Sequence, residues 1–304
     1  DRSPSRGLGD VYKRQLLKCA DAAMYQAKES GRNNYSIYNS SLGQRHDQAL
    51  QLEQALRKAL SQQQLQVHYQ PKVELKTGQL HSLEALVRWK DQELGQVAPA
   101  DFIPIAETLG LIHQLGQQVL RQVCHQLQQW GALAVPVAVN ISAKELADPQ
   151  FLPQLKQILA ESEVDPQLLE LEITESCLLP ERAAETQRVL QKLRQLGIRL
   201  AIDDFGTGYS SLSYLRHLPI NCLKIDRSFI KTLPDNTNDR QITSAIIAMA
   251  NAMGLDVIAE GVESQAQQEF LLTAGCKFGQ GYWFGKAENA ASTLLLLQKH
   301  SLSH

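Results

Sequence analysis

The sequence predicts an α/β protein folded as a TIM-type (β/α)8 barrel that is modified by an antiparallel first strand. Eight short strand-like runs occur along the chain, and longer helical stretches separate most of them, as in a barrel built from βα units. The first two runs are joined only by VELKTGQLHS, which is too short for a helical crossover and predicts an antiparallel pair. A doubly wound open sheet is the structural alternative.

Composition limits the class of protein. The chain has 304 residues, 43% of them hydrophobic, so it can bury one large core or two modest ones. Its net charge is −2 with interspersed charges, which argues against a nucleic acid polymer or a membrane surface as partner. The five cysteines are scattered without C-x-x-C spacing, which favours reduced thiols and a cytoplasmic location. A region outside this sequence could still anchor the full-length protein to a membrane.

The N-terminal segment differs in composition from the rest of the chain. Residues 1–15 carry almost no apolar pattern and are expected to be a non-native scar or a disordered tail. Residues 16–40 predict an amphipathic helix followed by a short strand, too little to bury a core alone. Residues 41–64 predict a helix that opens a domain over 41–304.

The elements of this domain alternate along the chain. The candidate strands span residues 66–72, 83–89, 135–142, 168–174, 198–204, 221–226, 256–260 and 277–282. The main helical stretches span residues 104–130, 150–162, 181–196 and 239–253.

Polar side chains fall near the carboxyl ends of these strands, where a TIM barrel carries its active site. Taken singly, each is more commonly a solvated strand end or an ordinary salt bridge, but together they indicate a functional site. Period-two alternation also places Glu170 beside Glu172, and Glu84 beside Arg88, on one side of their strands. The strand-end residues are Asn140, Glu172, Asp203, Asp204, Lys224, Asp226, Glu260 and Gln280.

The carboxylates among them predict a metal centre. Five carboxylates on one barrel mouth cannot all ionise without a counter-charge, and oxygen-only ligands suit Mg²⁺ or Mn²⁺ rather than zinc. Adjacent aspartates suggest two metals, with Asp203 bridging them and Asp204 reaching the second. The five carboxylates are Glu84, Glu172, Asp203, Asp204 and Glu260, and the amide of Asn140 would join them.

Such a site suits phosphodiester chemistry. Two divalent ions polarise a phosphodiester, activate water and stabilise the leaving oxygen. Lys224 would orient the water or neutralise charge in the transition state, although structural pairing with Asp226 is an open alternative. Gly206 and Gly208 would let the loop after Asp204 change shape, or would form a tight turn.

Seven motifs carry a resemblance to a known family. YQPKV, LEALVRW, VNIS, ELEITES, AIDDFGTGYSSLSYLRHLPINCLKIDRSFI, VIAEGVE and GQGYWF are similar in order and spacing to the EAL domain, whose name-giving triplet is Glu84, Ala85 and Leu86. The resemblance implies a bacterial phosphodiesterase that linearises the second messenger cyclic di-GMP to pGpG. ADAAMYQAKESGRN resembles the C-terminal end of a GGDEF (diguanylate cyclase) domain, so residues 16–40 are expected to be a remnant whose cyclase and sensory parts lie outside this sequence.

The resemblance also implies roles for the site residues. The second metal would be held by Asp203, Asp204 and Glu260, and Glu260 would also act on the attacking water. Lys224 would contact that water, with Asp226 supporting the site. The implied ligands of the first metal are Glu84, Asn140, Glu172 and Asp203; the implied substrate contacts are Gln70, Gln280 and, on a phosphate, Arg88; the implied loop-stabilising residues are Glu175 and Glu263.

Cofactors, partners and alternatives are implied by the same resemblance. It implies two Mg²⁺ or Mn²⁺ ions per site, inhibition by Ca²⁺, and a homodimer to which the loop after Asp204 contributes. After the last motif the family usually has a small residue, a basic residue and a proline, whereas this chain has Gly285, Lys286 and Ala287; the missing proline affects a loop rather than a ligand. A catalytically idle cyclic di-GMP sensor and a barrel enzyme for another phosphodiester are the competing hypotheses.

Overall fold

Eight strands close into a barrel in this computed structural model, which describes residues 16–17, 19–20, 23–24, 35, 37–178, 183–208 and 215–302. A ninth short strand, β3, pairs only with β2 and lies outside the barrel. The closure of β1 on β2 excludes the open-sheet alternative. The strands are β1 (Gln66–Glu74), β2 (Leu80–Asp91), β3 (Gly95–Val97), β4 (Val137–Ile141), β5 (Leu169–Thr174), β6 (Arg199–Phe205), β7 (Cys222–Ile225), β8 (Asp256–Ala259) and β9 (Phe278–Gln280).

Strand β1 runs antiparallel to both of its neighbours, β2 and β9, whereas the other barrel neighbours are parallel. The prediction of a barrel modified at its first strand is therefore confirmed. Its physical reason is the short turn after β1, which leaves no room for the crossover that a parallel neighbour needs.

Within the described residues, ten α-helices surround the barrel. They are α1 (Ser40–Ser61), α2 (Pro99–Thr108), α3 (Ile112–Trp130), α4 (Ala143–Leu146), α5 (Phe151–Ser162), α6 (Ala183–Gln195), α7 (Arg227–Ile230), α8 (Thr237–Ala252), α9 (Gln265–Thr273) and α10 (Ala290–Ser301).

The single helix predicted over 104–130 is wrong. The chain forms two helices there, and α2 begins earlier, with Pro99 in its first turn, where proline is tolerated. Gly110 lies just after α2 with φ of +70°, a left-handed conformation that ends helices and that glycine adopts without strain. The apolar period continues across this break, so the pattern alone predicts one helix.

On the side formed by β6, β7, β8 and β9, the barrel interior is apolar below its polar mouth. Ala201, Cys222, Ile258 and Phe278 form a buried cluster separate from the main core. Each lies two residues before a polar residue predicted for the site, so each shares the inward side of its strand. The main core lies outside this layer, where the helices pack on the strands.

Other predictions concern the chain ends and the cysteines. All five cysteines are free thiols, as predicted. Among the described helices, none combines the length and the apolar content that crossing a bilayer requires. Residues 1–15 and most of the predicted remnant at 16–40 lie outside the described residues.

Candidate metal centre at the carboxyl end of the barrel

Lys224 on β7 lies at the centre of the polar mouth. Its side chain is fully buried, and its Nζ lies 2.7 Å from Glu172 Oε2, 2.7 Å from Glu260 Oε1, 3.0 Å from Asp203 Oδ1 and 3.7 Å from Glu84 Oε1. Burial opposes the charged ammonium, but these carboxylates outweigh burial and raise the pKa of Lys224 well above its ordinary value. A single ammonium thus balances part of the negative charge of four carboxylates.

Asp226 is absent from the ion-pair partners that the described residues give Lys224. Its Oδ1 instead accepts a hydrogen bond from the Ser228 N–H over 3.0 Å and caps α7. The described residues therefore do not show the alternative of structural pairing between Lys224 and Asp226. Asp226 follows the end of β7 at Ile225 and lies beside Asp204, whose pKa it helps to raise after burial and Asp203.

The carboxylates form two groups that share Asp203. One group is Glu84, Glu172 and Asp203, and the other is Asp203, Asp204 and Glu260; in each, one oxygen per residue lies within 4.8 Å of the others. This donor set, all oxygen and crowded around a cation, has the chemistry that Mg²⁺ and Mn²⁺ prefer. The residues present therefore fit divalent metal binding, and Asp203 is common to both groups.

A bulge brings the two adjacent aspartates to the same side. Successive side chains of a strand point to opposite faces, so regular β6 would turn Asp204 away from Asp203. The β6–β7 register shifts between Ile202 and Phe205, and Asp204 has φ of +54°. Aspartate is among the residues that tolerate this conformation, and bulges commonly lie beside active sites.

Glu84 accepts hydrogen bonds from two amide side chains. Glu84 Oε1 accepts from Asn140 Nδ2 over 2.8 Å, and Glu84 Oε2 accepts from Gln280 Nε2 over 2.6 Å. Gln280 Nε2 also donates to Gln70 Oε1 over 3.1 Å. Burial opposes the ionised carboxylate of Glu84, but the ammonium groups of Lys224 and Lys72 lower its pKa to about 2.

Three other carboxyl groups of the cluster have pKa values above their ordinary ones. Burial, the largest cause, raises the pKa of Glu260 to about 7, and the carboxylates of Asp203 and Glu84 add to the increase. Burial also raises the pKa of Glu172 and of Asp204. These groups lose their protons readily only when a cation compensates their charge, so protons and metal compete for them.

Glu175 holds the loop after β6. Its Oε2 accepts from the Gly206 N–H over 3.0 Å and from the Gly208 N–H over 3.1 Å. A Cβ on Gly208 would lie 3.0 Å from this carboxylate, so a larger residue there would have to push the carboxylate aside. The loop-stabilising role expected of Glu175 stays a prediction. Residues 209–214 lie outside the described residues.

Glu263 lines the mouth from the β8 side. Its backbone N–H donates to Gln267 Oε1 over 2.7 Å, and among the described residues no side chain donates a hydrogen bond to its carboxylate. The loop-stabilising role expected of Glu263 stays a prediction.

A cleft of about 240 Å³ opens above the carboxylates. Arg88, expected on a phosphate, lines a neighbouring cavity of about 460 Å³ instead, and its Nη1 donates to the Val87 carbonyl over 2.9 Å. Asn140 also lines that cavity. The residues of the cleft include Gln70, Glu84, Arg227, Glu260, Gln280 and Tyr282.

Two basic residues near the site were not predicted. Arg227, directly after Asp226, lines the cleft. Lys72 on β1 is fully buried, with its Nζ 2.5 Å from Glu172 Oε1 and 3.3 Å from Glu170 Oε1. Period-two alternation from the inward-facing Gln70 could have placed Lys72 inside the barrel.

Comparison with known proteins identifies the family. Residues 53–287 match the family model described as EAL domain, and the chain belongs to this family of barrel proteins. It is 42% identical over 283 residues to the bifunctional diguanylate cyclase/cyclic di-GMP phosphodiesterase MucR of Pseudomonas aeruginosa, covering 92% of this chain and 41% of MucR. It is 43% identical over 273 residues to the cyclic di-GMP phosphodiesterase PdeR of Escherichia coli, covering 89% and 41%.

Solved structures agree with this assignment. A structure of the PaMucR phosphodiesterase in complex with c-di-GMP superposes with a TM-score of 0.77 and 41% identity, covering 80% of this chain and 99% of that one. The EAL enzyme Bd1971 in a cAMP-bound form superposes with a TM-score of 0.79 and 32% identity, covering 84% and 72%.

The matched relatives are longer than this chain. The chain spans 41% of the length of MucR and of PdeR, so most of each curated relative lies outside the match. The GGDEF remnant expected at residues 16–40 finds no support here, since the family match begins at residue 53.

Proposed function

We propose that this domain is a metal-dependent phosphodiesterase that hydrolyses cyclic di-GMP to linear pGpG and thereby lowers the level of the second messenger. The observation that carries the proposal is the pair of carboxylate groups sharing Asp203 in a chain of the EAL family. Relatives matched over about nine tenths of this chain are named for this activity.

Two Mg²⁺ or Mn²⁺ ions are the proposed cofactors. Glu84, Asn140, Glu172 and Asp203 would hold the first ion, and Asp203, Asp204 and Glu260 the second. Bound there, such ions supply charge that activates water and polarises a phosphodiester. Ca²⁺, which favours looser and higher coordination, is proposed to inhibit.

The protein's own side chains supply proton handling and orientation. Glu260, beside Lys224 at the barrel mouth, would act on the attacking water. Lys224, 2.7 Å from Glu260 Oε1, keeps its charge and can stabilise negative charge that develops beside it. Gln70 and Gln280 line the cleft and would orient the substrate, with Arg88 reaching a phosphate from the neighbouring cavity.

The assembly and the cellular setting belong to the same proposal. The domain would act as a homodimer through its barrel, in the cytoplasm, downstream of sensory and GGDEF domains. A nucleic acid polymer is not a proposed partner, because the chain carries a net charge of −2.

The test is a hydrolysis assay on purified protein. Cyclic di-GMP is incubated with Mg²⁺, Mn²⁺ or Ca²⁺, and the products are separated by chromatography. We expect pGpG in Mg²⁺ and Mn²⁺, little onward cleavage to GMP, and no product in Ca²⁺. Tight binding of cyclic di-GMP without pGpG in any metal would favour the sensor alternative.

A further inference from the structure

We infer that Lys72 is a positioning residue of the metal centre, which holds one oxygen of Glu172 so that only the other is offered to a metal. The inference rests on the proposed two-metal function. It extends that function to a residue on β1, outside the set of metal ligands, and to the choice between metals.

Glu172 has each oxygen engaged by a different lysine. Lys72 Nζ lies 2.5 Å from Oε1, and Lys224 Nζ lies 2.7 Å from Oε2. Lys224 is shared among four carboxylates, so it can release Glu172 and keep three partners. The ion pairs of Lys72 among the described residues are limited to Glu170 and Glu172, both on β5. Lys72 therefore keeps its oxygen of Glu172 while Oε2 is given up to a metal.

Lys72 also pairs with Glu170, two residues before Glu172 on β5. Glu170 accepts from Lys72 with Oε1 over 3.3 Å and from Arg199 Nε with Oε2 over 3.3 Å. Arg199 Nη2 then reaches Asp256 Oδ2 over 3.2 Å. Opposite charges thus alternate through the barrel interior, from the partly exposed Arg199 and Asp256 to the fully buried Glu172.

This arrangement has a consequence for coordination. A carboxylate with one oxygen bound to an ammonium can ligate a metal through its other oxygen only. Mg²⁺ demands compact, near-octahedral geometry, whereas Ca²⁺ accepts bidentate carboxylates and up to eight oxygens. By keeping Glu172 monodentate, Lys72 favours the smaller ions over Ca²⁺.

Water cannot take the place of the Lys72 ammonium beside Glu172. Lys72 and Glu172 are both fully buried, so removal of the ammonium leaves a carboxylate free to rotate or to bind a metal through both oxygens. Partners that orient metal ligands in this way commonly change metal affinity 10- to 100-fold when they are removed.

The experiment is a calorimetric titration with Mn²⁺ and Ca²⁺, without substrate, of wild type, Lys72→Met and Lys76→Met. Methionine keeps most of the length of the side chain and removes its charge. Lys76 is the matched control, because it lies exposed in the turn after β1. We expect Mn²⁺ affinity to fall about 10- to 100-fold in Lys72→Met, Ca²⁺ affinity to fall less, and Lys76→Met to match wild type.

A second variant guards against misfolding. In Lys72→Met/Glu170→Gln, one of the two carboxylates that would lose Lys72 is neutralised as well, so the loss of stability should be smaller while the metal effect on Glu172 persists. An Mn²⁺ affinity and an Mn²⁺/Ca²⁺ ratio within about threefold of wild type in either folded variant would overturn the inference, even if the melting temperature fell. This titration uses no substrate, so it is independent of the hydrolysis assay. Wild-type protein that binds Mn²⁺ here but forms no pGpG in the hydrolysis assay would reject the proposed function and not this role of Lys72.

Discussion

The backbone N–H of Asp204 donates a hydrogen bond to Oδ1 of Asp203 over 2.9 Å, and Asp204 itself has φ of +54°. This relationship fixes the bulge that turns two adjacent carboxylates toward one site. Asp203 belongs to both carboxylate groups, whereas Asp204 belongs to one. Loss of Asp203 should therefore affect both carboxylate groups, whereas loss of Asp204 should affect one.

Replacing each aspartate by asparagine should change the number of bound ions. Asparagine also tolerates the left-handed conformation, so the bulge should survive. Wild type should bind two Mn²⁺ by calorimetry, Asp204→Asn one, and Asp203→Asn neither with useful affinity. Hydrolysis should be abolished in Asp203→Asn, and the exposed control Asp235→Asn should behave as wild type. Two tightly bound ions in Asp203→Asn would contradict the shared-ligand assignment.

Lys224→Met should lower kcat by a factor on the order of 10² with a smaller change in KM, since the lost ammonium acts on charge that develops in the transition state. The variant should also melt lower than wild type in chelator, because buried carboxylates lose their cation. Adding Mn²⁺ should reduce the difference in melting temperature between Lys224→Met and wild type. The exposed control is Lys231→Met, and a change confined to KM would instead show a role in substrate binding.

Glu145 should make stability fall as pH rises. It is 4% exposed, and burial raises its pKa from 4.5 to about 7. Between these values the folded state holds a proton that the unfolded state has lost, so stability decreases with rising pH. The cost at pH 8 is about 3 kcal/mol, at 1.36 kcal/mol for each pKa unit.

Glu145→Gln should remove this dependence. The amide oxygen can still accept from the Ser142 N–H, which donates to Glu145 Oε2 over 3.0 Å. Urea unfolding should show the variant more stable than wild type at pH 8 and nearly equal at pH 4. Glu185→Gln, an exposed control, should match wild type throughout. Parallel stability curves for wild type and Glu145→Gln would show that Glu145 does not titrate in this range.

Glu175→Ala should loosen the loop after β6. The variant removes the acceptor of the Gly206 and Gly208 N–H groups, and hydrogen bonds to a charged acceptor contribute about 1.5–3 kcal/mol. Amide hydrogen exchange at these two glycines should accelerate about tenfold or more, while Glu175→Gln, which keeps an acceptor oxygen, should show a smaller change. Unchanged exchange in Glu175→Ala would show that Glu175 does not tether the loop.

Most of the fold was predictable because each element has a strong local signal. Strand β5 was expected over 168–174 and spans Leu169–Thr174, since apolar residues alternate there with inward-facing glutamates. The turn after β1 sufficed to predict an antiparallel pair. The break between α2 and α3 was missed because the apolar period of the two helices is continuous across Gly110.

The site was predictable only in part. Carboxylates at strand ends indicated a metal centre, and the family resemblance supplied their roles. Lys72 was missed because a lysine within a strand is usually solvent-exposed, although its spacing from Gln70 indicates the inward side of the strand; its pairing with Glu172 depends on barrel closure. The bulge at Asp204 depends on the β6–β7 register, which local sequence does not encode.

Product chromatography of cyclic di-GMP turnover tests the central claim most directly. Wild type and Asp203→Asn are compared in Mg²⁺ and in Mn²⁺, after circular dichroism has shown that both are folded. We predict stoichiometric conversion to pGpG by wild type and none by the variant. Intact cyclic di-GMP after incubation with folded wild-type protein in both metals, or equal pGpG formation by Asp203→Asn, would contradict this claim.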